Sequence, residues 1–329
     1  MMYSIFKRGM DILGAGFGLM LFLPVGLVIA LVIKVSDGGP VFYGQVRVGR
    51  NGHLFKIWKF RSMVPNADRV GVAITQGADP RITRIGRWLR GTKMDELPQL
   101  WNVFVGEMSL VGPRPEVPKY VALYSPSQRE VLRFRPGITD VASLSFRDEE
   151  GLLAGAPDVE EFYVRHCLPK KIDLNLEYQR AASVLGDLGV IARTIGLMFS
   201  RVSSGGSAGR DDLSQDDLLA SGKDRRVAII GAGDAGQEAL KALHKRPGFN
   251  VIGFFDDDPR SWHQRHQGVE VVGMPECLGN AAWKQRVDAV VLALGPEREA
   301  RADQLRQWFE GFGLKEALLQ ESEARSVSR

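Results

Sequence analysis

The feature that most constrains this chain is an uncharged run of 22 residues, from Ile12 to Ile33. As a helix that rises about 1.5 Å per residue, the run reaches roughly 33 Å, enough to cross the hydrocarbon core of a bilayer. Lys34 and Val35 follow it rather than the small residues of a cleavage site, which disfavours a removable signal peptide. The run therefore predicts a permanent membrane segment.

Two details bear on how this segment meets the membrane. Pro24 stands near its middle, where proline removes a backbone hydrogen bond and kinks a helix. Basic residues flank both ends, whereas a spanning helix usually carries them on its cytoplasmic side. These residues are Lys7, Arg8, Lys34, Arg47 and Arg50. We therefore expect a re-entrant helix with both ends on the cytoplasmic face. A spanning helix and a buried helix of a soluble domain are the alternatives.

Charge and cysteine usage narrow the classes of partner. The formal net charge is +4, and the basic residues are concentrated before residue 100. Beside an apolar segment, such residues favour anionic lipid headgroups or phosphates. Nucleic acid is the competing partner, but no recognition motif supports it, so none is expected. The two cysteines, Cys167 and Cys277, match no metal or redox spacing, and we expect no disulfide.

The chain as a whole is predicted to belong to the α/β class. Two strand-like segments, 41–48 and 54–60, flank Asn51-Gly52, which is typical of a hairpin turn. Helices are expected over 81–91, 95–105 and 175–200. A stretch rich in Ser, Gly and Asp indicates a linker. The predicted domains are a re-entrant membrane helix at 1–36, a small, mostly helical catalytic domain with a β-hairpin at 37–200, the linker at 201–224 and a Rossmann-like parallel domain at 225–329.

Adjacent carboxylates at Asp95 and Glu96 are the candidate chemical centre. Asp95 is predicted to be an N-cap, where the positive end of a helix would keep it ionised and attract an anionic substrate. Two neighbouring carboxylates also suit Mg²⁺, which often bridges to substrate phosphates. Taken alone, however, an acidic pair at a helix start is usually a cap. Nearby cations strengthen the chemical interpretation, and among them Arg114 stands between two prolines that stiffen its backbone.

Longer motifs surround this pair. They include Lys7-Arg8, Gly39-Pro40-Val41-Phe42-Tyr43, Lys56-Ile57-Trp58-Lys59-Phe60-Arg61-Ser62-Met63, Leu97-Pro98-Gln99-Leu100, Glu107-Met108-Ser109-Leu110-Val111-Gly112-Pro113-Arg114-Pro115-Glu116 and Arg135-Pro136-Gly137-Ile138-Thr139. Over roughly residues 1–200, this string resembles the bacterial sugar transferase family, the monotopic polyprenyl-phosphate glycosyl-1-phosphate transferases.

The resemblance implies a phosphoglycosyl transferase at the cytoplasmic face of the bacterial inner membrane. Asp95 would attack the β-phosphate of a UDP-sugar, UMP would leave, and polyprenyl (undecaprenyl) phosphate would then accept the phosphosugar. Glu96 would help to place Mg²⁺ or manage a proton, so that both carboxylates act as metal ligands. The substrate phosphates would be bound by Lys59, Arg61, Arg90 and Arg114.

The sequence departs from the family pattern at two positions near the end of this region. Many relatives have Gly-Trp where this chain has Asp140-Val141, which indicates a subgroup with its own sugar preference. Asn175 stands where the family has an Asp.

A glycine-rich motif opens the C-terminal domain. Gly231, Gly233 and Gly236 form G-x-G-x-x-G between a predicted strand and helix, and Asp256 follows the next strand where a ribose-binding acid belongs. The region resembles the N-terminal nucleotide-binding-like domain of membrane nucleoside-diphosphate-sugar epimerases and dehydratases. It is expected to bind a nucleotide, nucleotide-sugar or NAD, or else to keep only the fold and serve oligomerisation, for example as a homodimer.

Two other functions stay open at this point. The glycine motif suggests an NAD-dependent nucleotide-sugar epimerase or dehydratase, but residues 225–329 contain no Tyr-x-x-x-Lys pair for that chemistry. The other alternative is a non-enzymatic membrane scaffold.

Overall fold

The computed structural model describes residues 2–65, 67, 79–153, 156–203, 225–280, 283 and 285–316. They form two compact units: Met1–Arg147 with Val164–Arg210, and Asp148–Tyr163 with Asp211–Arg329. The predicted linker at 201–224 lies outside the described residues except for the end of a helix that stops at Ser203.

The helices, in chain order, are α1 (Met2–Asp37), α2 (Arg84–Gly91), α3 (Gln99–Val105), α4 (Pro118–Val121), α5 (Val141–Ser145), α6 (Glu149–Leu153), α7 (Val159–Phe162), α8 (Leu168–Arg180), α9 (Val184–Ser203), α10 (Asp234–His244) and α11 (Glu299–Gly311). The strands are β1 (Phe42–Val48), β2 (Leu54–Phe60), β3 (Ser109–Val111), β4 (Gly137–Thr139), β5 (Arg225–Ile230), β6 (Phe249–Phe255), β7 (Arg265–His266), β8 (Val269–Gly273), β9 (Ala289–Leu292) and β10 (Lys315–Glu316).

Helix α1 contains the apolar run, with Pro24 inside it. It is long and apolar enough to cross a membrane, yet only 11% of its most apolar stretch is buried. A core helix of a soluble domain would bury most of such a stretch, so that alternative is disfavoured. The exposed apolar side chains include Leu13, Phe17, Leu27 and Leu31. The re-entrant path stays a prediction.

The remaining side of α1 packs on the first unit. Its buried residues belong to two apolar clusters, one of Ala15, Ile57, Val103 and Met108, the other of Ile29, Ile33, Phe60 and Leu89. These clusters join α1 to β2, α2 and α3. The hairpin and the helix that follows it are therefore held against the membrane segment.

Polar residues at the start of α1 fix it further. Lys7 Nζ donates to Asp187 Oδ2 at 2.7 Å, and Asp187 is fully buried. Asp11 is 1% exposed and accepts from the backbone N–H of Leu110 at 2.9 Å. Both bonds join residues far apart in sequence, so Lys7 and Asp11 anchor the start of α1 to the rest of the unit.

Two short parallel strands, β3 and β4, bring distant motifs of the first unit together. Gly112 N donates to Thr139 O, and Gly137 N donates to Pro113 O, each at 3.0 Å. The approach is so close that a Cβ on Gly137 would lie 2.1 Å from Gly112 N. Only glycine permits this crossing, which sets Pro113 and Arg114 beside Thr139 and the residue after it.

The predicted hairpin is confirmed, because β1 and β2 pair antiparallel from Phe42 with Phe60 to Val48 with Leu54. The single helix predicted over 175–200 is wrong. It is two helices, since α8 ends at Arg180 and α9 begins at Val184. Ser183 Oγ accepts from Gly186 N at 3.1 Å and so caps the start of the new helix.

The second unit contains a six-stranded sheet of order β10-β9-β5-β6-β8-β7. All neighbours are parallel except β7 and β8. This confirms the predicted Rossmann-like domain. The prediction assigned Asp148–Tyr163 to the catalytic domain, whereas the structure includes it in this unit, where Leu152 O accepts from Asn280 Nδ2 at 2.7 Å.

Candidate active site

Asp95 and Glu96 lie in a single 3-10 turn, Met94–Glu96, between α2 and α3. Lys93 precedes the turn with φ of +59°, a left-handed conformation that reverses the chain after α2. The prediction that Asp95 caps a helix is wrong. Helix α3 begins only at Gln99, Pro98 takes the cap position, and no side chain caps it. The carboxylates thus belong to a tight turn rather than to a helix N-terminus.

The Asp95 side chain is buried, and one of its oxygens has no partner among the described residues. The residue is 6% exposed, and the oxygen in question is Oδ1. Burial raises the pKa of Asp95, and Lys59 is the strongest of the charges that oppose this. Asp95 is therefore not kept ionised by a helix, as the sequence predicted. Burial instead disfavours its charged form until a group from outside the protein compensates that charge.

Glu96 is held in the opposite way. Its Oε1 accepts from Lys59 Nζ at 2.9 Å and from Arg114 Nη2 at 2.6 Å. Burial alone would raise its pKa, but Arg114 and then Lys59 outweigh burial and hold the pKa of Glu96 well below its usual range. The ionised Glu96 in turn raises the pKa of Arg114. The pair thus consists of one fixed anion and one buried carboxyl without a partner.

Arg114 is oriented from two sides. Its side chain reaches Glu96, and its backbone N–H donates to Asp140 Oδ2 at 2.8 Å. Asp140 is 1% exposed, and its Oδ2 also accepts from Asn175 Nδ2 at 3.1 Å. Pro113 and Pro115 add the rigidity expected from the sequence. The guanidinium is therefore aimed at the carboxylate pair by contacts from β4 and α8 as well as by its own loop.

The structure brings Lys59 and Arg114 to the pair and gives Arg61 other contacts. Arg61 is 6% exposed and pairs with Asp37 at the end of α1, and its Nη1 is buried with no hydrogen-bond partner in the part of the chain that the structure describes. Arg90 lies on α2, close enough to act on Asp95, although its effect on the pKa of Asp95 is smaller than those of burial and Lys59. Phosphate binding by these two arginines stays a prediction.

Gln99 lies near the carboxylate pair, although the sequence analysis assigned it no role beyond its place in the motif Leu97-Pro98-Gln99-Leu100. It is 1% exposed and lies four residues after Asp95, at the start of α3. Neither polar atom of its amide has a partner among the described residues. A buried amide is unremarkable in a sequence, so only the structure distinguishes it.

The donor set for a metal is small. In the described part of the chain, no group of three or more His, Cys, Asp or Glu side chains could hold an ion. Asp95 Oδ1 lacks a partner, and both cations on Glu96 contact Oε1. The two carboxylates alone suit a cation such as Mg²⁺, which completes its shell with water and substrate phosphates.

Comparison with known proteins identifies the family. Residues 2–201, more than half of the chain, match the family described as bacterial sugar transferase. The chain belongs to the bacterial sugar transferase family.

Individual sugar transferases show the same relationship. The exopolysaccharide production protein ExoY of Rhizobium meliloti is 36% identical over 204 residues, which are 57% of this chain and 83% of that protein. A UDP-N-acetylgalactosamine-undecaprenyl-phosphate N-acetylgalactosaminephosphotransferase of Aeromonas hydrophila is 37% identical over 57% of this chain and 45% of its own length. An undecaprenyl-phosphate glucose phosphotransferase of Komagataeibacter xylinus is 40% identical over 57% of this chain and 35% of its own length. The chain thus spans most of the first relative and less than half of the other two.

The C-terminal module of this sugar transferase matches, over residues 216–311, a family described as a CoA-binding domain, in agreement with the predicted nucleotide-binding-like domain. Gly231 has a φ of +100°, and a Cβ on Gly236 would lie 2.0 Å from Gly231 O, so both positions require glycine. A Cβ on Gly233 would meet nothing within 4 Å, which leaves its backbone accessible to a ligand.

Asp256 makes contacts that bear on its predicted role as a ribose ligand. Its Oδ2 accepts from Ala232 N at 2.7 Å, and its Oδ1 accepts from Asp258 N at 2.8 Å. The carboxylate therefore braces the glycine turn in this structure. Ligand binding by this module stays a prediction.

Proposed function

We propose that this protein transfers a sugar-1-phosphate from a UDP-sugar to polyprenyl phosphate, the first membrane step in making a bacterial polysaccharide or glycoconjugate. The observation that carries the proposal is Asp95, a buried carboxyl with an unpartnered oxygen beside an anion fixed by Lys59 and Arg114. The Aeromonas and Komagataeibacter relatives, whose names assign them transfer to undecaprenyl phosphate, support it.

In the proposed mechanism, an oxygen of ionised Asp95 forms a bond to the β-phosphorus of the UDP-sugar. The bond from that phosphorus to the oxygen bridging the two phosphates breaks, and UMP leaves with the electron pair. A phosphate oxygen of the polyprenyl acceptor then attacks the same phosphorus, and the Asp95 carboxylate is released. Because Asp95 has no partner to give up, its desolvated oxygen is free to attack.

The surrounding groups manage charge in this scheme. Arg114 and Lys59 bear positive charge next to the pair and would stabilise the phosphoryl oxygens. Glu96 keeps both cations in place and remains ionised because its pKa is low. Glu96 and the other oxygen of Asp95 would hold Mg²⁺, which would supply additional neutralisation of phosphate charge when bound. The same charge would favour ionised Asp95 against the cost of burial.

A position at the cytoplasmic face of the inner membrane accommodates both substrates. The apolar surface of α1 would enter the bilayer, while the exposed Trp88 of α2 and Trp101 of α3 suit the headgroup level. The acceptor's phosphate lies at that level with its polyprenyl chain in the lipid. UDP-sugar reaches the same place from the cytoplasm.

The test is UMP release by purified full-length protein with Mg²⁺, a UDP-sugar panel and undecaprenyl phosphate. We expect wild type to release UMP with at least one sugar and Asp95→Asn to release none. The melting temperature of Asp95→Asn should be at or above that of wild type, because the substitution removes a buried charge whose Oδ1 has no partner among the described residues. The matched control is Glu130→Gln on an exposed surface, which should retain full rate. Full activity in Asp95→Asn would refute the proposal.

The same assay weighs the two alternatives. A sugar modified in the presence of NAD without lipid would indicate the epimerase or dehydratase. Absence of UMP with every sugar, from protein that is folded and membrane-bound, would favour the scaffold.

A further inference from the structure

A pocket beside Arg114 has no role in the mechanism described so far. Its empty space, including the part open to solvent, is about 490 Å³. Its polar lining includes Arg114, Asp140, Lys171, Asn175 and Tyr124, and prolines and aliphatic side chains form much of the rest. All these residues belong to the first unit.

Asn175 carries the strongest indication of a ligand. It is 4% exposed, and its Nδ2 donates to Asp140 Oδ2 and to Lys171 O, both at 3.1 Å. Because both partners are acceptors, the amide cannot be turned over without losing both bonds. Its Oδ1 is therefore fixed as the free end, and this atom is buried with no partner among the described residues. A buried acceptor in this position calls for a hydrogen-bond donor from outside the protein.

The donor must come from a group of suitable chemistry. An ionised phosphate offers no donor, so it does not match Asn175 Oδ1. A sugar ring offers several hydroxyl donors. Tyr124, which is 7% exposed and also lines the pocket, can donate or accept a hydrogen bond.

Arg114 places this pocket next to the reacting phosphate. Its side chain bonds to Glu96, while its backbone N–H bonds to Asp140 on the pocket wall. In the proposed function, the transferred sugar is attached to the phosphate that Asp95 attacks. Arg114 thus connects the pocket lining that contains Asp140 and Asn175 to the carboxylate pair where that phosphate would react.

We propose that this pocket binds the transferred sugar ring of the UDP-sugar and that Asn175 Oδ1 accepts a hydrogen bond from a ring substituent, a hydroxyl or an acylamino N–H. Asn175 and Asp140 thereby act as specificity-determining residues, with Asn175 fixed by the carboxylate that also positions Arg114. The proposal rests on the proposed transferase activity.

The experiment compares Asn175→Ala and Tyr124→Phe with wild type over UDP-glucose, UDP-galactose and their N-acetylamino counterparts. The readouts are kcat/KM for UMP release, inhibition by UMP alone and the melting temperature. If a substitution only displaced Arg114, kcat/KM would fall equally for all UDP-sugars. Loss of a contact to the sugar ring would instead change the ratio of kcat/KM between UDP-sugars. In Asn175→Ala, we expect the ratio of kcat/KM for the preferred UDP-sugar to kcat/KM for its 4-epimer or acylamino counterpart to fall about tenfold. Inhibition by UMP should stay within about twofold of wild type.

Three outcomes separate the possible failures. Unchanged ratios of kcat/KM between sugars in both variants would overturn the sugar-pocket inference. Inhibition by UMP that weakens as much as kcat/KM would also overturn it, because the pocket would then bind the nucleoside. If Asn175→Ala does not fold, an unchanged ratio in Tyr124→Phe decides against the inference and a reduced one supports it. Wild type that releases no UMP with any sugar would instead refute the transferase proposal.

Discussion

Replacing Glu96 with Gln keeps the size of the side chain and removes the counter-charge of both Lys59 and Arg114. The Glu96 side chain is 12% exposed, so water screens the two pairs only weakly. A hydrogen bond to a charged group contributes about 1.5–3 kcal/mol and a neutral one about 1 kcal/mol. In Glu96→Gln both cations keep their charge but bond to a neutral amide oxygen, so the loss is at most roughly 1–4 kcal/mol of unfolding free energy, to which repulsion between the two cations adds.

In a unit of 150–250 residues, each 1 kcal/mol lowers the melting temperature by roughly 2–4 °C. A mid-range loss of about 2–3 kcal/mol in Glu96→Gln should thus lower it by roughly 5–10 °C. UMP release should fall as well, because Lys59 and Arg114 lose the contact that aims them. The assay is thermal unfolding in detergent at constant pH, together with initial rates.

The matched control is the same substitution at Glu130. This residue pairs with Arg133 at 2.9 Å, but the two side chains are 56% and 74% exposed. Exposed pairs contribute little, so Glu130→Gln should change the melting temperature by no more than about 1–2 °C. Equal changes in the two variants would refute the conclusion that the paired cations on Glu96 stabilise the site.

Two further predictions concern titration and the C-terminal module. Burial raises the pKa of Asp95, and its ionised form is the proposed nucleophile. Single-turnover UMP release should therefore decline as the pH falls through a value above the ordinary carboxyl pKa of about 4. Glu96, whose pKa is lowered, stays ionised in that range. A decline only at or below that value would contradict this. Gly236→Ala should destabilise the module, since its Cβ would lie 2.0 Å from Gly231 O, whereas Gly233→Ala should fold normally because nothing lies within 4 Å. Thermal unfolding of the two variants checks this, and equal melting temperatures would contradict it.

Local patterns predicted the elements that local forces determine. Asn51-Gly52 supplied the positive φ angles of the hairpin loop, +55° and +81°, and the two strands followed. The glycine motif likewise predicted the strand, turn and helix of the C-terminal module. In both cases, the conformation depends on residues adjacent in sequence.

The predicted helix at 95–105 began too early for a related reason. Its start was inferred from Asp95 as a cap, yet the left-handed Lys93 and the following 3-10 turn delay the helix to Gln99. Burial of Asp95, which sets the direction of its pKa, depends on packing and has no signature in the sequence.

Long-range contacts account for the rest of what sequence reasoning missed. Arg61 and Lys59 are two residues apart in sequence, but the structure pairs Arg61 with Asp37 and Lys59 with Glu96. The bonds from Asp140 to Arg114 and Asn175 join three separate segments. No periodicity or spacing indicates such bonds, and they emerge only when glycines at 112 and 137 allow the chains to cross.

The central claim is that Asp95 carries the phosphosugar between donor and acceptor, and intact-mass analysis tests it most directly. Wild-type protein incubated with its UDP-sugar and Mg²⁺, without polyprenyl phosphate, should gain the mass of one phosphosugar and release one equivalent of UMP. The added mass should map to the peptide that contains Asp95, be absent in Asp95→Asn and disappear when polyprenyl phosphate is added. Release of UMP only when the acceptor is present, or an adduct on another residue, would contradict the account.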